Sequence, residues 1–506
     1  MSCHALFQFP WNRLGKASMS LFDRPVDYAN LRVKFLGAAT SMALMMTAGA
    51  SYAESKGPFS IFPLGQRTGV VKLKEEYVPF KPEKNLPERP ALMLEYPAVE
   101  KGGAFLGVGN LGKGFKVPLI GAVWQPRLWG YMISRTAFQS FKSASPTAER
   151  ETEIANRTDL FVNLQLTGTE KILLGLRPFD NNEPGRFTKY AFEGTDEDFK
   201  NELNLDVESL FFEGDLGSLF PVFDEAGITP MDFGFTVGRQ NVFYQKGMLI
   251  SDTVDMVGLI RNNLYLEGVP NFRVAGMYSW NRLDNGGGPD TDPEMFGLFT
   301  ALDMPNNTVN VDAIYVNDDG ADADGFYLGL SSIQRIKGIS TAFRINSSVG
   351  KQGGTTGDGS LISAEISHIV PGSDDIWYVN PYIALGNFTQ AGREAINGGP
   401  LGNLGILFAS PNLSRYGAEI SPFVNDVAGF SMGYQAFWDD HHRNMILEFA
   451  NKIDYDGRGF DSYGLGFQVQ QKVGRYVQLT FEGFAVANTD DRDDNVGGRF
   501  EVQVVY

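Results

Sequence analysis

From about Ala104 to Tyr506 the chain repeats one pattern, segments of alternating apolar and polar residues separated by turn-forming residues. RTDLFVNLQLTG puts Leu160, Val162, Leu164 and Leu166 on one parity and Asn163, Gln165 and Thr167 on the other. After the turn at Gly168, KILLGLR returns with Ile172, Leu174 and Leu176 against Lys171 and Arg177. NFRVAGMYSW, TVNVDAIYV and YVQLTFEGF repeat the same arrangement. A period of two is the signature of a strand with one apolar and one polar face. Its recurrence leaves an all-β chain as the only consistent fold class.

Two architectures use many such strands. A soluble sandwich or propeller buries the apolar faces between layers. A transmembrane barrel turns them towards lipid, keeps a polar interior, and alternates short turns with long loops. Connectors here come in both sizes, from the turns at 167–170, 337–338 and 472–474 to NRLDNGGGPDTDPE, KQGGTTGDGS and QAGREAINGGPLGN. Strand lengths near those of membrane strands and an aromatic content of 13%, with 39 Phe, favour the barrel. PRLWGYM and DIWYVNPY place aromatics where interfacial girdles sit. No apolar run after the leader is long enough for a spanning helix. The reading is therefore a transmembrane antiparallel β-barrel of about 18 strands, within a range of 16–20, with long extracellular loops and short periplasmic turns.

The N-terminal region supports export. In LRVKFLGAATSMALMMTAGASYA, Arg32 and Lys34 precede an apolar run, and small residues at Ser51 and Ala53 mark a cut before Glu54. That order is a secretory signal peptide, so residues 1–53 read as a removable leader. Cleavage removes Cys3 with Arg13, Lys16, Arg24, Arg32, Lys34, Asp23 and Asp27, which turns 43 basic against 60 acidic residues into 38 against 58. The mature chain then has no cysteine and a net charge of −20, which argues against nucleic acid as a partner. Residues 54–103, rich in Pro and Lys, read as a periplasmic segment or lid, and 104–506 as the barrel.

A barrel in lipid tolerates no open edge, so its last strand must pair with its first. RFEVQVVY sets Phe500, Val502, Val504 and Tyr506 against Arg499, Glu501 and Gln503 and reads as that closing strand. Signal peptide, alternating strands and a terminal aromatic strand together resemble Gram-negative outer-membrane porins. The resemblance implies a diffusion channel in the outer membrane, in contact with lipid and lipopolysaccharide. It also implies that Phe500, Val502, Val504 and Tyr506 form the signal read by the barrel-assembly machinery, and that a homotrimer is one assembly to expect. Tyr506 stands where the terminal residue of that class is more typically Phe. DFGFTVGRQNVFYQKGMLISD further resembles the Gly-Arg-Gln strand of alginate-export-like porins, without carrying over a substrate.

Parity assigns Lys171, Arg177, Asp206, Glu208, Arg273, Asp312, Arg344, Glu365, Glu448, Glu482, Arg499 and Glu501 to the lumen. Facing charges of both signs there create a transverse field that sorts solutes. LDVESLFFEGDLGSLFP at 205–221 reads as a strand with a capping turn, with an inward constriction loop as the alternative. Arg239 shares parity with Phe235 and Val237; it either snorkels at the interface or is turned inward by a bulge near Gly238. No metal site or cofactor is expected. NDDGADADGF fails as an EF-hand because Gly320 and Ser331 stand where acids are needed. Adjacent Asp439, Asp440, His441 and His442 cannot converge on one ion from a strand. No G-x-S-x-G surrounds a serine, so an enzyme is not expected. A channel for small polar solutes, with cations or neutral solutes favoured over anions, is the leading expectation. The alternatives are an export conduit and a surface all-β binding protein.

Overall fold

The computed structural model describes residues 98–102 and 114–506, except 144–148, 181–186, 195–196, 222–231, 287–292, 319–322, 352, 393–397, 411–412, 415 and 490–491. The leader with Ser51 and Ala53, residues 54–97 and the acidic stretch at Gly320 lie outside the described residues.

Three short strands come first: β1 (Val99–Lys101), β2 (Phe115–Lys116) and β3 (Val123–Trp124). The wall begins with β4 (Arg127–Lys142), β5 (Arg150–Gln165), β6 (Lys171–Leu176), β7 (Thr188–Glu193), β8 (Asp198–Lys200) and β9 (Val207–Asp215), followed by one helical turn, α1 (Leu216–Leu219). Hairpins complete it: β10 (Gly234–Tyr244), β11 (Ile250–Leu266), β12 (Val269–Asn281), β13 (Glu294–Asp303), β14 (Asn307–Asn317), β15 (Gly325–Ile336) and β16 (Ile339–Gly350). Then follow β17 (Gly359–Ile369), β18 (Ile376–Gly386), β19 (Val427–Trp438), β20 (Arg443–Asp454), β21 (Ser462–Val473), β22 (Val477–Asn488) and β23 (Asn495–Val505).

All wall pairings are antiparallel between neighbours, and β23 pairs with β4 to close the cylinder. The wall has eighteen strand positions. Two of these are built from pieces: β5 pairs with β6 through Leu160–Gln165 and with β7 through Thr152–Asn156, while β9 pairs with β6 and β8 with β7. Pro178 accounts for the break after β6, because it has no N–H to give the ladder.

Connectors at one end are mostly short, as at 166–170, 267–268, 304–306, 337–338, 439–442 and 474–476. Those at the other end are longer, as at 282–293, 318–324, 351–358 and 387–426. Segment 205–221 is β9 with α1 after it, Asp215 capping the turn by accepting from the Ser218 N–H at 2.9 Å. It is wall and turn.

Outward-facing side chains are large, apolar and exposed, among them Phe138, Ile154, Val162, Leu259, Leu298, Ile383, Leu447, Leu465, Phe481 and Phe500. Aromatics cluster on this surface, as with Tyr278, Trp280 and Phe296. An apolar belt of this extent is a lipid-facing surface, and it removes the soluble sandwich as an option. At the seam, Arg499↔Gln139 and Val504↔Ser134 are register partners. The Tyr506 N–H donates to Met132 O at 2.8 Å, the Met132 N–H donates to Tyr506 O at 2.7 Å, and the Tyr506 ring stacks 5.2 Å from that of Tyr476. Strand β1 continues the same seam by pairing with Leu128–Gly130.

Because Met132 and Tyr506 exchange both hydrogen bonds, the neighbouring Ile133↔Val505 pair is a close, non-hydrogen-bonded one. An Ile133→Cys/Val505→Cys variant of residues 54–506 should therefore cross-link within one molecule on oxidation, read as a shift on non-reducing gels. Absence of the cross-link in folded protein would contradict this closure.

Candidate functional site

The inner wall beside the seam carries a rail of paired charges. Arg499 Nη2 lies 3.1 Å from Glu482 Oε2, and its Nη1 lies 3.5 Å from Glu501 Oε2. Glu501 also accepts from Arg135 Nε at 2.7 Å and from Nη2 at 2.9 Å, a bidentate pair. Arg135 faces Arg157 in register, and like charges so placed repel. Arg157 is offset by Asp159, which receives its Nε–H at 2.9 Å and that of Arg177 at 3.0 Å. Arg177 ends at Asp180 (3.2 Å) and Glu208 (3.7 Å), where the wall breaks at Pro178. Lys171 pairs separately with Glu213 at 2.7 Å. Asp206 lies on the exposed connector 201–206, where strand parity has no meaning.

Two segments from the long-loop end fold inward. The β10–β11 turn, 245–249, reaches strands several positions away: Gln245 Nε2 donates to Asp312 at 2.6 Å, and Lys246 pairs with Glu365, which also holds Arg344. Met248, Leu249 and Ile250 are fully buried beneath it. Arg273 sits 3.7 Å from Asp303 and shares a cavity of about 290 Å³ with Lys246, Asp312 and Arg344.

The second segment, 387–426, joins β18 to β19 and carries its own apolar core. Leu401, Leu404, Leu407, Phe408, Ile420 and Val424 pack on Leu361, Tyr382, Ala450 and Val486 of the wall. Each fully buried side chain of this kind contributes about 1.5–3 kcal/mol against exposure. Polar contacts set the register. The Glu448 carboxylate accepts the N–H groups of Ile406 (3.0 Å) and Leu407 (2.9 Å) and the Tyr378 hydroxyl, and a Cβ at Gly405 would collide with it. Ser431 donates to Leu404 O at 2.6 Å. Across the bore, Gln139 Nε2 donates to Leu413 O at 3.2 Å and to Glu153 at 2.6 Å, and Glu153 pairs with buried Lys189 at 2.7 Å. The inward segments also join each other, through Ala391 N to Leu249 O (2.9 Å) and Asn403 Nδ2 to Lys246 O (3.2 Å).

Strand parity thus gathers nine of the sequence-derived residues into three groups: Arg177, Glu208, Glu482, Arg499 and Glu501 on the rail, Asp312, Arg344 and Glu365 at the inward turn, and Glu448 under the long segment. Sequence reasoning missed Arg135, Arg157 and Asp159, although their parity is inward, and it missed segment 387–426. The available signal there was the unpatterned apolar run PLGNLGILFASPNL inside a long connector. Arg239 keeps outward parity, since the register runs unbroken through Gly238, and it forms a bidentate pair with Asp255 at 2.8 and 3.0 Å. His368 sits at the short-turn end, where its Nδ1–H donates to Gly338 O at 3.2 Å. Asp439–His442 form the turn between β19 and β20, and no cluster of three or more metal-ligating residues occurs among the described residues.

A BenF-like porin from Pseudomonas fluorescens Pf-5 superposes with a TM-score of 0.52 over 75% of this chain and 98% of that one, at 8% identity. OccK7 (OpdD) of Pseudomonas aeruginosa gives 0.49 over 75% and 98%, at 9% identity. The likeness is one of fold. No family model and no curated protein matches the sequence.

Within the inward segment, burial first and the Glu482 charge second push the Glu419 carboxyl well above the usual carboxylate range, while Arg499 pulls it back. A carboxyl raised in the folded state stabilises that state below its unfolded pKa, and the benefit is lost as pH rises through the folded value. Amide exchange across 398–424 should therefore accelerate as pH is raised, beyond the intrinsic rate, and Glu419→Gln should remove that excess. An excess that persists unchanged in Glu419→Gln would contradict this role.

Proposed function

We propose that this protein is a porin of a Gram-negative outer membrane, a water-filled channel for passive diffusion of small polar solutes. The observation that carries the reading is the inversion of polarity: a closed cylinder with an apolar outer belt and a charged inner wall. In water such an outer belt would drive association, whereas lipid covers it. Eighteen strands leave a bore wide enough for an aqueous path. The fold shared with a BenF-like porin supports the same reading. By the usual arrangement the short-turn end faces the periplasm and the long-loop end the exterior.

Segments 245–249 and 387–426 fold into the bore and narrow its passage. Each rail arginine already faces a carboxylate, so the passage carries a transverse field without a large excess of positive charge. Cations and neutral solutes pass more readily than anions under this arrangement. The closing strand, ending in Tyr506, serves as the signal for the barrel-assembly machinery, and the belt contacts outer-membrane lipid and lipopolysaccharide.

Refolded mature protein should insert into planar bilayers as stable ohmic steps, with a modest reversal potential of cation-selective sign under a KCl gradient. Failure of folded barrels to conduct would overturn the channel; strong anion selectivity would overturn the electrostatic part alone.

A further inference from the structure

The apolar outer belt carries a polar island on β4, β5 and β7. Ser134 and Thr136 share the outward parity of exposed Phe138, and Asn156 and Thr158 that of exposed Ile154. In register, Ser134 lies beside Thr158 and Thr136 beside Asn156, with Thr188 on the far side of Asn156. Apolar rows bound the island along the strands, Met132 and Leu160 towards the short turns and Phe138 and Ile154 towards the long loops. Val502 and Val504 border it across the seam, and Phe138, Tyr190 and Phe192 form an exposed aromatic cluster beside it. The island therefore lies inside the belt, where a polar side chain finds acyl chains and no water.

Its hydrogen bonds form a chain that ends open. Ser134 Oγ lies 3.0 Å from Thr158 Oγ1, which donates to Asn156 Oδ1 at 3.1 Å. Asn156 Nδ2 donates to Thr136 Oγ1 at 2.8 Å and to Arg135 O at 3.2 Å. Thr136 is exposed, and among the described residues nothing accepts its hydroxyl hydrogen. Asn156 Oδ1 keeps a second acceptor position beside the bond from Thr158. Lipid satisfies neither group, whereas a second protein surface does. The open donor and the open acceptor match each other. When two copies face across a two-fold axis along the membrane normal, Thr136 of one stands opposite Asn156 of the partner subunit, at equal depth. Each Thr136 hydroxyl then donates to the other copy's amide oxygen, a reciprocal pair that one patch makes with itself. The island holds no charge to repel its own copy.

We propose that the outer face of β4 and β5 is a docking surface for a second copy of this chain, pairing two barrels side by side in the membrane. The inference rests on the porin reading for the lipid around the belt. Residues 54–506 contain no cysteine, so single introduced cysteines report contacts between copies. Ser134→Cys puts a thiol in the island beside the axis, and Phe481→Cys puts one on the exposed belt at β22. Treated with a short bismaleimide in the outer membrane of an expressing host, the first should give a dimer band and the second should stay monomeric. Thr136→Val keeps the side-chain shape and removes the donor, so adding it to Ser134→Cys should lower the dimer yield about tenfold. Absence of the Ser134→Cys dimer in folded barrels, equal cross-linking at Phe481→Cys, or a yield unchanged by Thr136→Val would each overturn the proposal. So would a mass of one or of three chains in mild detergent. The comparison of the two cysteine positions stands even if Thr136→Val fails to fold. Bilayer recordings on the same preparation separate the two claims. Pores from chains that stay single sink the pairing and leave the porin; cross-linked pairs that never conduct sink the porin.

Discussion

Every backbone N–H and C=O of a strand in lipid needs a partner within the protein, and this requirement governs the structure. It forces β23 onto β4 and makes the terminal residue part of the ladder through Met132. It also explains why the break in the wall at Pro178 is patched by β7 and β8 pairing in continuation of β6 and β9. Once the cylinder is closed, alternation sends one set of side chains to lipid and the other to the bore. The charged rail then follows, because charge costs least on the water-filled inner face, whereas on the lipid face it is costly away from the interfaces.

The bore is shaped by a second, opposite use of hydrophobicity. Beneath segment 387–426 the inner wall of β17–β22 is apolar, and the segment covers it with Leu401, Leu404, Leu407 and Phe408. Burial supplies the attraction, and Glu448, Asn380 and Ser431 supply position by holding backbone groups that would otherwise be orphaned. The turn at 245–249 is locked to the segment and to Asp312 and Glu365, so the two inward pieces brace each other.

Much of this was legible in the sequence, for a physical reason. A period of two reports the face of each residue without knowledge of its neighbours, so RTDLFVNLQL-like repeats give an all-β barrel of 16–20 strands, and the preference of bacterial barrels for even numbers selects 18. Partners are another matter, because which carboxylate meets Arg499 or Arg177 depends on register between strands far apart in sequence. Asp206 shows the limit of parity, since it lies on a connector with no strand to define a face. Segment 387–426 was hidden because long Gly-rich connectors usually run over a surface. Its apolar residues lack a period and find their cover only in the assembled bore. Arg239 was undecidable from sequence, because only the unbroken register through Gly238 and the position of Asp255 place it outside.

The central claim is that a closed barrel is narrowed from within by segment 387–426. Single-channel conductance of residues 54–506, set beside that of a variant in which residues 390–422 are replaced by a short Gly-Ser link, tests it most directly. The account predicts a several-fold larger, steady conductance in the shortened protein, with its heat-sensitive barrel mobility on gels retained. An unchanged conductance in a folded, shortened barrel would contradict it.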